Sequence, residues 1–242
     1  MAKKSRKAII DDGMNPELIQ GACTDPVFGI PQMMAPKHIF IPEGITPFSY
    51  LDKDPTPRNH AIGFHEMDIN FSDILINTDQ CLEDIRPFGA MITPDCSLYR
   101  NAPPAVQIAN VYRNRAIGFR AQCRGIYAIA QIRWGSEETY TTKVFPEKVA
   151  FLGAPKKSIV AIGTYGCIGG KENKYHFEAG LEAMLIELEP KDVLVYGPMP
   201  DKVFNNYLTS TRFHQYDDWT TIKNKDASRP CRLAPRLMKP HG

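Results

Sequence analysis

The chain has 242 residues, 43% of them hydrophobic and 10% aromatic, with a formal net charge of +2. That length can bury a sizeable core in one large domain, or in one domain with arms, and the composition is that of a soluble globular protein. No apolar run approaches the roughly 18 residues a membrane span requires, and the basic start MAKKSRKA lacks the apolar segment of a secretory signal. Cys23, Cys81, Cys96, Cys123, Cys167 and Cys231 are scattered without a C-x-x-C pair, which points to reduced thiols in a cytoplasmic protein and offers zinc no clustered ligands.

Charge is uneven along the chain. Lys3, Lys4, Arg6 and Lys7 open it without an acid, and residues 223–242 carry six Lys/Arg against Asp226 alone, so the body between is net acidic. Such basic ends either solvate a protein or bind nucleic acid or another acidic surface.

Residues 1–35 show no periodicity and are punctuated by Asp25-Pro26, Gly29-Ile30-Pro31 and Ala35-Pro36, the pattern of an extended arm. Lys37–Pro42 allows a short strand, and His60–Phe64 reads as another that runs into Glu66-Met67-Asp68. Residues 72–86 read as a helix stopped by Pro87. Ala90–Thr93 is a strand that ends in Pro94-Asp95, and a helix opens at Pro103-Pro104, where proline costs no hydrogen bond. Its apolar stripe is Ala105, Ile108, Ala109, Tyr112, Ala116, Phe119 and Cys123, with Gly125 as its cap.

Ile126–Ile132 completes a strand–helix–strand unit, whose helix suits a right-handed crossover between parallel strands. Residues 137–157 form an excursion, with Thr139–Phe145 expected as strand. Ser158–Thr164 is apolar throughout, as in a sheet covered on both faces. A loop, Tyr165–Lys174, then leads to a helix with Phe177, Leu181, Met184, Leu185 and Leu188 on one face. Asp192–Tyr196 is the next strand, Asp201–Tyr207 starts a helix, and the chain beyond about Asn224 reads as loop.

This alternation specifies an α/β fold with a mainly parallel sheet of five or six strands and crossover helices, either a compact sheet or an incomplete barrel. The expected organisation is a basic arm over 1–35, one α/β domain over 36–222 and a basic tail over 223–242. Parallel strands deliver their closing residues to one rim, which here would gather Glu66 and Asp68, Asp95, Arg133 and Trp134, Thr164 and Tyr165, and Tyr196. Asp68 and Asp95 could hold a divalent metal or divide acid and base roles; the alternative is that Asp95 only caps its own turn. Arg113 and Arg115 flank Asn114 and cannot share a helix face, so at most one faces the rim, the other outcomes being a surface position or an ion pair.

Gly163, Gly166, Gly169, Gly170 and Lys171 form a glycine-rich loop that could expose amides to phosphate, without the P-loop spacing. His60 and His65 fall on opposite strand faces, against joint metal ligation. Ser97 and Ser136 lack a nucleophile elbow, Cys96 beside Asp95 is a poor nucleophile, and no zinc-deaminase signature occurs.

ITPDCSLY followed by AVQIANVYRNRAIGF resembles the hallmark of domain-of-unknown-function family 4417, found in bacteria, bacteriophages and mobile elements. The likeness runs through FHEMDINF, IRWGSEETY, SIVAIGTYG, FEAGLEAM and VLVYG, over roughly residues 20–207. It implies importance for Asp68, Asp95, Ser97, Tyr99, Gln107, Asn110, Tyr112, Arg113, Arg115, Trp134, Ser136, Gly163, Gly166, Tyr196 and Gly197. Cys96 stands where the hallmark has phenylalanine, Glu66 and Asp68 spread out its acidic pair, and Gln131-Ile132-Arg133 replaces a Pro-Thr run.

The resemblance implies a phage or mobile-element setting and no particular reaction. Three functions fit these observations. The first is a protein acting on nucleic acid or nucleotides. In it Asp68, Asp95 and Arg133 form the centre, and Tyr99, Asn110, Arg113, Arg115, Trp134, Tyr165 and Tyr196 contact substrate. The second is a non-catalytic binder that engages a host or virion protein through its surface and arms. The third is a replication initiator, which ranks last because no metal-binding histidine motif accompanies a tyrosine nucleophile.

Overall fold

Seven short strands pair in parallel in chain order: β1 (Gly44–Pro47), β2 (His60–Gly63), β3 (Ala90–Ile92), β4 (Ala128–Gln131), β5 (Ile159–Gly163), β6 (Asp192–Tyr196) and β7 (Arg212–Tyr216). A two-residue strand, β8 (Arg236–Leu237), lies antiparallel to β7. The computed structural model describes residues 14–226, 236 and 237, so the readings made for residues 1–13 and for most of the basic tail lie outside the described residues.

When each parallel strand pairs with its sequence neighbour, every right-handed crossover steps the same way, so the helices share one face and the sheet curls. Here it curls into a half-barrel. The period of two in the strands divides the core accordingly. Ile62, Met91, Ala130, Val160, Ile162, Val193, Val195 and Phe213 pack outward among helix residues such as Phe177, Leu181 and Met184. Ala61, Ala90, Ile92, Ile129, Ile159, Ala161, Leu194 and Tyr196 form a second, inner cluster that contains no helix residue. The ends of the sheet meet without pairing: Tyr216 Oη donates to the Pro42 carbonyl at 2.7 Å, and the Tyr50 and Trp219 rings lie 4.6 Å apart.

The helices are α1 (Ser72–Ile76), α2 (Thr78–Ile85), α3 (Pro104–Cys123), α4 (Glu137–Tyr140), α5 (Lys171–Leu188), α6 (Asp201–Phe204) and α7 (Trp219–Asp226). No helix among the described residues is long and apolar enough to cross a membrane. The α/β class, the parallel sheet and its incomplete closure are as the sequence implies, with seven parallel strands instead of five or six.

Five local readings differ from the structure. The helix expected over 72–86 is two helices, because Asn77 leaves helical geometry at φ −117°, ψ 46°. Residues 37–42 form no strand; the Tyr127 hydroxyl pins them, accepting from Phe40 N and donating to the His38 carbonyl, both at 3.0 Å. Thr139–Phe145 is not a strand either, since Thr139 Oγ1 accepts from Gly135 N at 3.0 Å and donates to the Ser136 carbonyl at 2.9 Å, which holds a helical turn. β7 escaped the sequence reading because Arg212 and His214 interrupt its apolar pattern; both bind the buried carboxylate of Asp192 on β6.

The fifth difference is the face that α3 buries. Only part of the expected apolar stripe is buried: Ala116 and Phe119 are, Ile108, Ala109 and Tyr112 are half-buried, and Ala105 and Cys123 are exposed. Gln107, Asn110, Val111, Asn114, Ile117, Gly118 and Ala121 turn inward as well.

Candidate binding site at the strand ends

The polar face of α3 follows from what it covers. Residues 93–98 are buried and irregular, so their backbone groups need partners that a strand ladder does not supply. Asn114 Nδ2 donates to the Pro94 carbonyl at 2.7 Å, Asn110 Nδ2 donates to the Ser97 carbonyl at 2.7 Å, and Thr93 Oγ1 donates to Asn114 Oδ1 at 2.8 Å. From the β2 side, Asp68 accepts from Ser97 Oγ at 3.0 Å and from Ser97 N at 3.4 Å. Arg113 donates to Asn110 Oδ1 at 2.9 Å. The asparagines, Asp68 and Arg113 thus brace the turn that carries Asp95.

Asp95 is 6% exposed. Its Oδ2 accepts from Arg133 Nη1 at 2.6 Å, and its Oδ1 accepts from Gln131 Nε2 at 3.2 Å. Gln131 Oε1 lies 3.2 Å from His65 Nε2, and the His65 ring stacks on Tyr196 at 4.3 Å with 12° between planes. A continuous polar line therefore joins β2, β4, the end of β3 and β6. Glycines on two strands leave room for the His65 ring in it. A Cβ on Gly63 would lie 3.2 Å from His65 Nδ1, and one on Gly163 would lie 3.1 Å from His65 Cδ2. The Asp95 charge holds the Arg133 guanidinium above its ordinary proton affinity, against the opposing effect of burial.

Beside Arg133 opens a cleft of about 690 Å³ between the loops after β3, β4 and β5 and the start of α5. Trp134 forms one wall, with its ring 5.3 Å from Phe177 and its Nε1 donating to the His176 carbonyl at 3.1 Å. Tyr99 and Arg100 form the opposite lip, where Arg100 bridges to Glu172 at 2.6 Å and to Asn173 Oδ1 at 2.9 Å. Ser136 lines the same cleft, and its buried hydroxyl has no hydrogen-bond partner among the described residues. Trp134 reaches its wall only because Gly180 leaves a notch: a Cβ there would sit 2.2 Å from the indole nitrogen. Gly180→Ala is therefore expected to expel the ring, cost about 1–3 kcal/mol by overpacking, and change the emission of one of the two tryptophans. Thermal melts and tryptophan fluorescence would check both effects.

The structure does not bring every candidate residue to this cleft. Arg133, Trp134 and Tyr99 line it. Tyr165 is 59% exposed on the neighbouring loop. Tyr196 faces the inner side of the sheet, where its hydroxyl accepts from Trp219 N at 2.8 Å. Arg115 lies 1% exposed at a distinct place, donating to the Leu152, Ala150 and Gln131 carbonyls at 2.8, 3.2 and 2.9 Å and to Asn114 Oδ1. Burial lowers its proton affinity, and no carboxylate pairs with it among the described residues.

As for a metal, both Asp95 oxygens already accept donors, so a cation there would compete with Arg133. Among the described residues no three His, Cys, Asp or Glu side chains are grouped to hold an ion. Cys96 is a buried thiol pushed up to about 12 by desolvation and by the nearby Asp68 and Asp95 charges, which suits packing better than attack. The sequence does not single out Arg100, Asn173 and His176, names His65 only against joint metal ligation with His60, and names Gln131 only within a departure from the family hallmark. Of these only Gln131 carried a signal, as a lone polar residue inside the apolar run AIAQI.

A family model matches residues 22–217. The chain belongs to that family, the domain of unknown function DUF4417. It is similar to the Gene 1 protein of Mycobacterium phage D29, with 31% identity over 137 residues, 57% of this chain and 48% of that protein. It is similar as well to the Gene 1 protein of Mycobacterium phage L5, with 32% identity over 139 residues, 57% of this chain and 58% of that protein. The chain thus spans about half the length of these phage relatives. No solved structure matches it significantly.

Proposed function

We propose that this DUF4417 domain is a phage-type protein that binds a nucleotide, free or within a nucleic acid, in the cleft beside Arg133. One observation carries the reading. A buried carboxylate holds one end of the Arg133 guanidinium, while its other N–H groups lack a protein acceptor among the described residues and stand at the floor of an open cleft. A guanidinium so held is pre-organised for a phosphate or another planar anion. Trp134 on the wall, with Tyr99 and Tyr165 exposed near the mouth, offers ring faces to a base.

Asp95 and Asp68 in this reading position the cleft and its turn rather than hold a metal. The basic ends of the chain supply sequence-independent attraction to a strand, and the protein works in the cytoplasm of the phage host. If the bound unit is also transformed, Asp95 and Arg133 are the nearest acid–base and charge-stabilising groups.

The test is fluorescence anisotropy with a labelled single-stranded 12-mer, competed by each mononucleotide, on the full chain and on Arg133→Lys. Lysine keeps the charge beside Asp95 and loses the fork. Binding that weakens about tenfold or more in the variant and falls as salt rises is the expected result. Wild-type affinity in Arg133→Lys, or no nucleotide bound by the wild type, would overturn the reading.

A further inference from the structure

We propose that His65 is the positioning residue of this site, acting by fixing which end of the Gln131 amide faces Asp95. The inference rests on Arg133 being the anion contact. It adds a residue and a protonation state that neither the sequence motif nor the cleft lining points to.

Asp95 pairs with Arg133 through Oδ2, so it is a charged acceptor and can only accept at Oδ1. The group facing that oxygen at 3.2 Å must therefore be the NH2 of Gln131. The amide oxygen then points the other way, to His65 Nε2 at 3.2 Å, and can only accept. His65 must consequently carry its proton on Nε2. The far side of the ring agrees: Nδ1 is buried with no hydrogen-bond partner among the described residues, facing Gly63. A proton there would be a stranded donor, which folded proteins avoid more strictly than a bare acceptor. Two unrelated constraints thus select one tautomer.

The surroundings hold that state. Desolvation lowers the proton affinity of the imidazole, and the Arg133 charge acts in the same direction, while the Asp95 and Glu66 charges and the Gln131 hydrogen bond oppose it. Tyr196 stacks on the ring and prevents it from turning. The Gln131 backbone is fixed too, its carbonyl accepting from Arg115 Nη1 at 2.9 Å and from Asn114 Nδ2 at 3.3 Å. Its side-chain amide keeps the freedom to flip, and His65 removes that freedom. With the amide flipped, its oxygen would face the Asp95 carboxylate, and the carboxylate would move away and take Arg133 with it.

The experiment is long-range 1H–15N NMR on the full chain labelled at histidine, with the His65 signal assigned by its loss in His65→Phe or His65→Gln. At neutral pH His65 is expected as neutral imidazole protonated on Nε2. In Asp95→Asn, where the neighbour can donate as well as accept, the Nε2–H tautomer is expected to persist, because the buried Nδ1 still selects it and His65 still orients the amide. An imidazolium or an Nδ1–H tautomer in the wild type, or an Nδ1–H fraction that appears in Asp95→Asn, overturns the proposal.

His65→Phe, which keeps a ring against Tyr196 and loses the donor, should weaken 12-mer binding about two- to tenfold, whereas His65→Gln, which can donate to the same oxygen, should recover part of it. Equal affinities for both variants and the wild type would also overturn it. The NMR measurement needs no ligand, so the tautomer stands or falls apart from the nucleotide reading. A wild type with the expected tautomer that binds no nucleotide sinks only the latter.

Discussion

Arg115→Met is expected to destabilise the fold by about 2–4 kcal/mol, and Arg115→Lys to recover little of that loss. The guanidinium is fully enclosed and donates to three main-chain carbonyls, of Leu152, Ala150 and Gln131, and to the Asn114 side chain. Methionine fills most of the volume but donates nothing, so these acceptors stay buried and unpaired, at a typical cost of about 1 kcal/mol or more each. Removing a buried charge that lacks a carboxylate partner offsets part of that cost.

Lysine presents a point charge at the end of a flexible stem and cannot reach carbonyls on both sides of the planar fork. Urea denaturation measures both variants. A loss below 1 kcal/mol for Arg115→Met would mean that the carbonyls find water or each other, and that the arginine is not the brace between α3 and the segment 149–152.

Asp95→Asn is expected to weaken binding of the single-stranded 12-mer about ten- to a hundredfold while costing only about 1–2 kcal/mol of stability. The asymmetry comes from exposure. The Arg133 side chain is 27% accessible, so without its partner it turns toward water and rehydrates instead of remaining a buried, unpaired charge. Turning away is also what removes its free donors from the cleft. Asparagine brings a second conflict, because its single oxygen cannot take the place of both carboxylate oxygens, one accepting from Arg133 and the other from Gln131. Anisotropy and urea denaturation on the same preparation separate the two effects. Binding lost only in step with unfolding would show that Asp95 supports the fold and nothing else.

Much of this architecture is written in local periodicity. Pro103-Pro104 before a 20-residue helix, Gly125 after it, and apolar runs on either side specify a strand–helix–strand unit, and the structure contains it as β3–α3–β4. The α5 face of Phe177, Leu181, Met184 and Leu188 is buried as its spacing implies. The same method misreads α3, because hydrophobic pattern ranks Ala105 above Gln107. Burial there answers to the hydrogen-bond needs of residues 93–98, which no helical period encodes. β7 is missed for a related reason: Arg212 and His214 look solvated until Asp192 is placed beside them.

Within the candidate site, residue types and strand ends pointed to Asp95, Arg133 and Trp134. They could not separate these from Tyr196, which the alternation of β6 sends to the other face of the sheet, or from Arg115, which α3 carries into the body. Chain order and side-chain period settle class, direction and the rim, since each depends on neighbours a few residues apart. Which polar groups meet is settled by curling. His65, Gln131 and Asp95 are separated by 66 and 36 positions along the chain, and only the closure of β2 toward β5 and β6, over Gly63 and Gly163, brings the imidazole within reach of the amide.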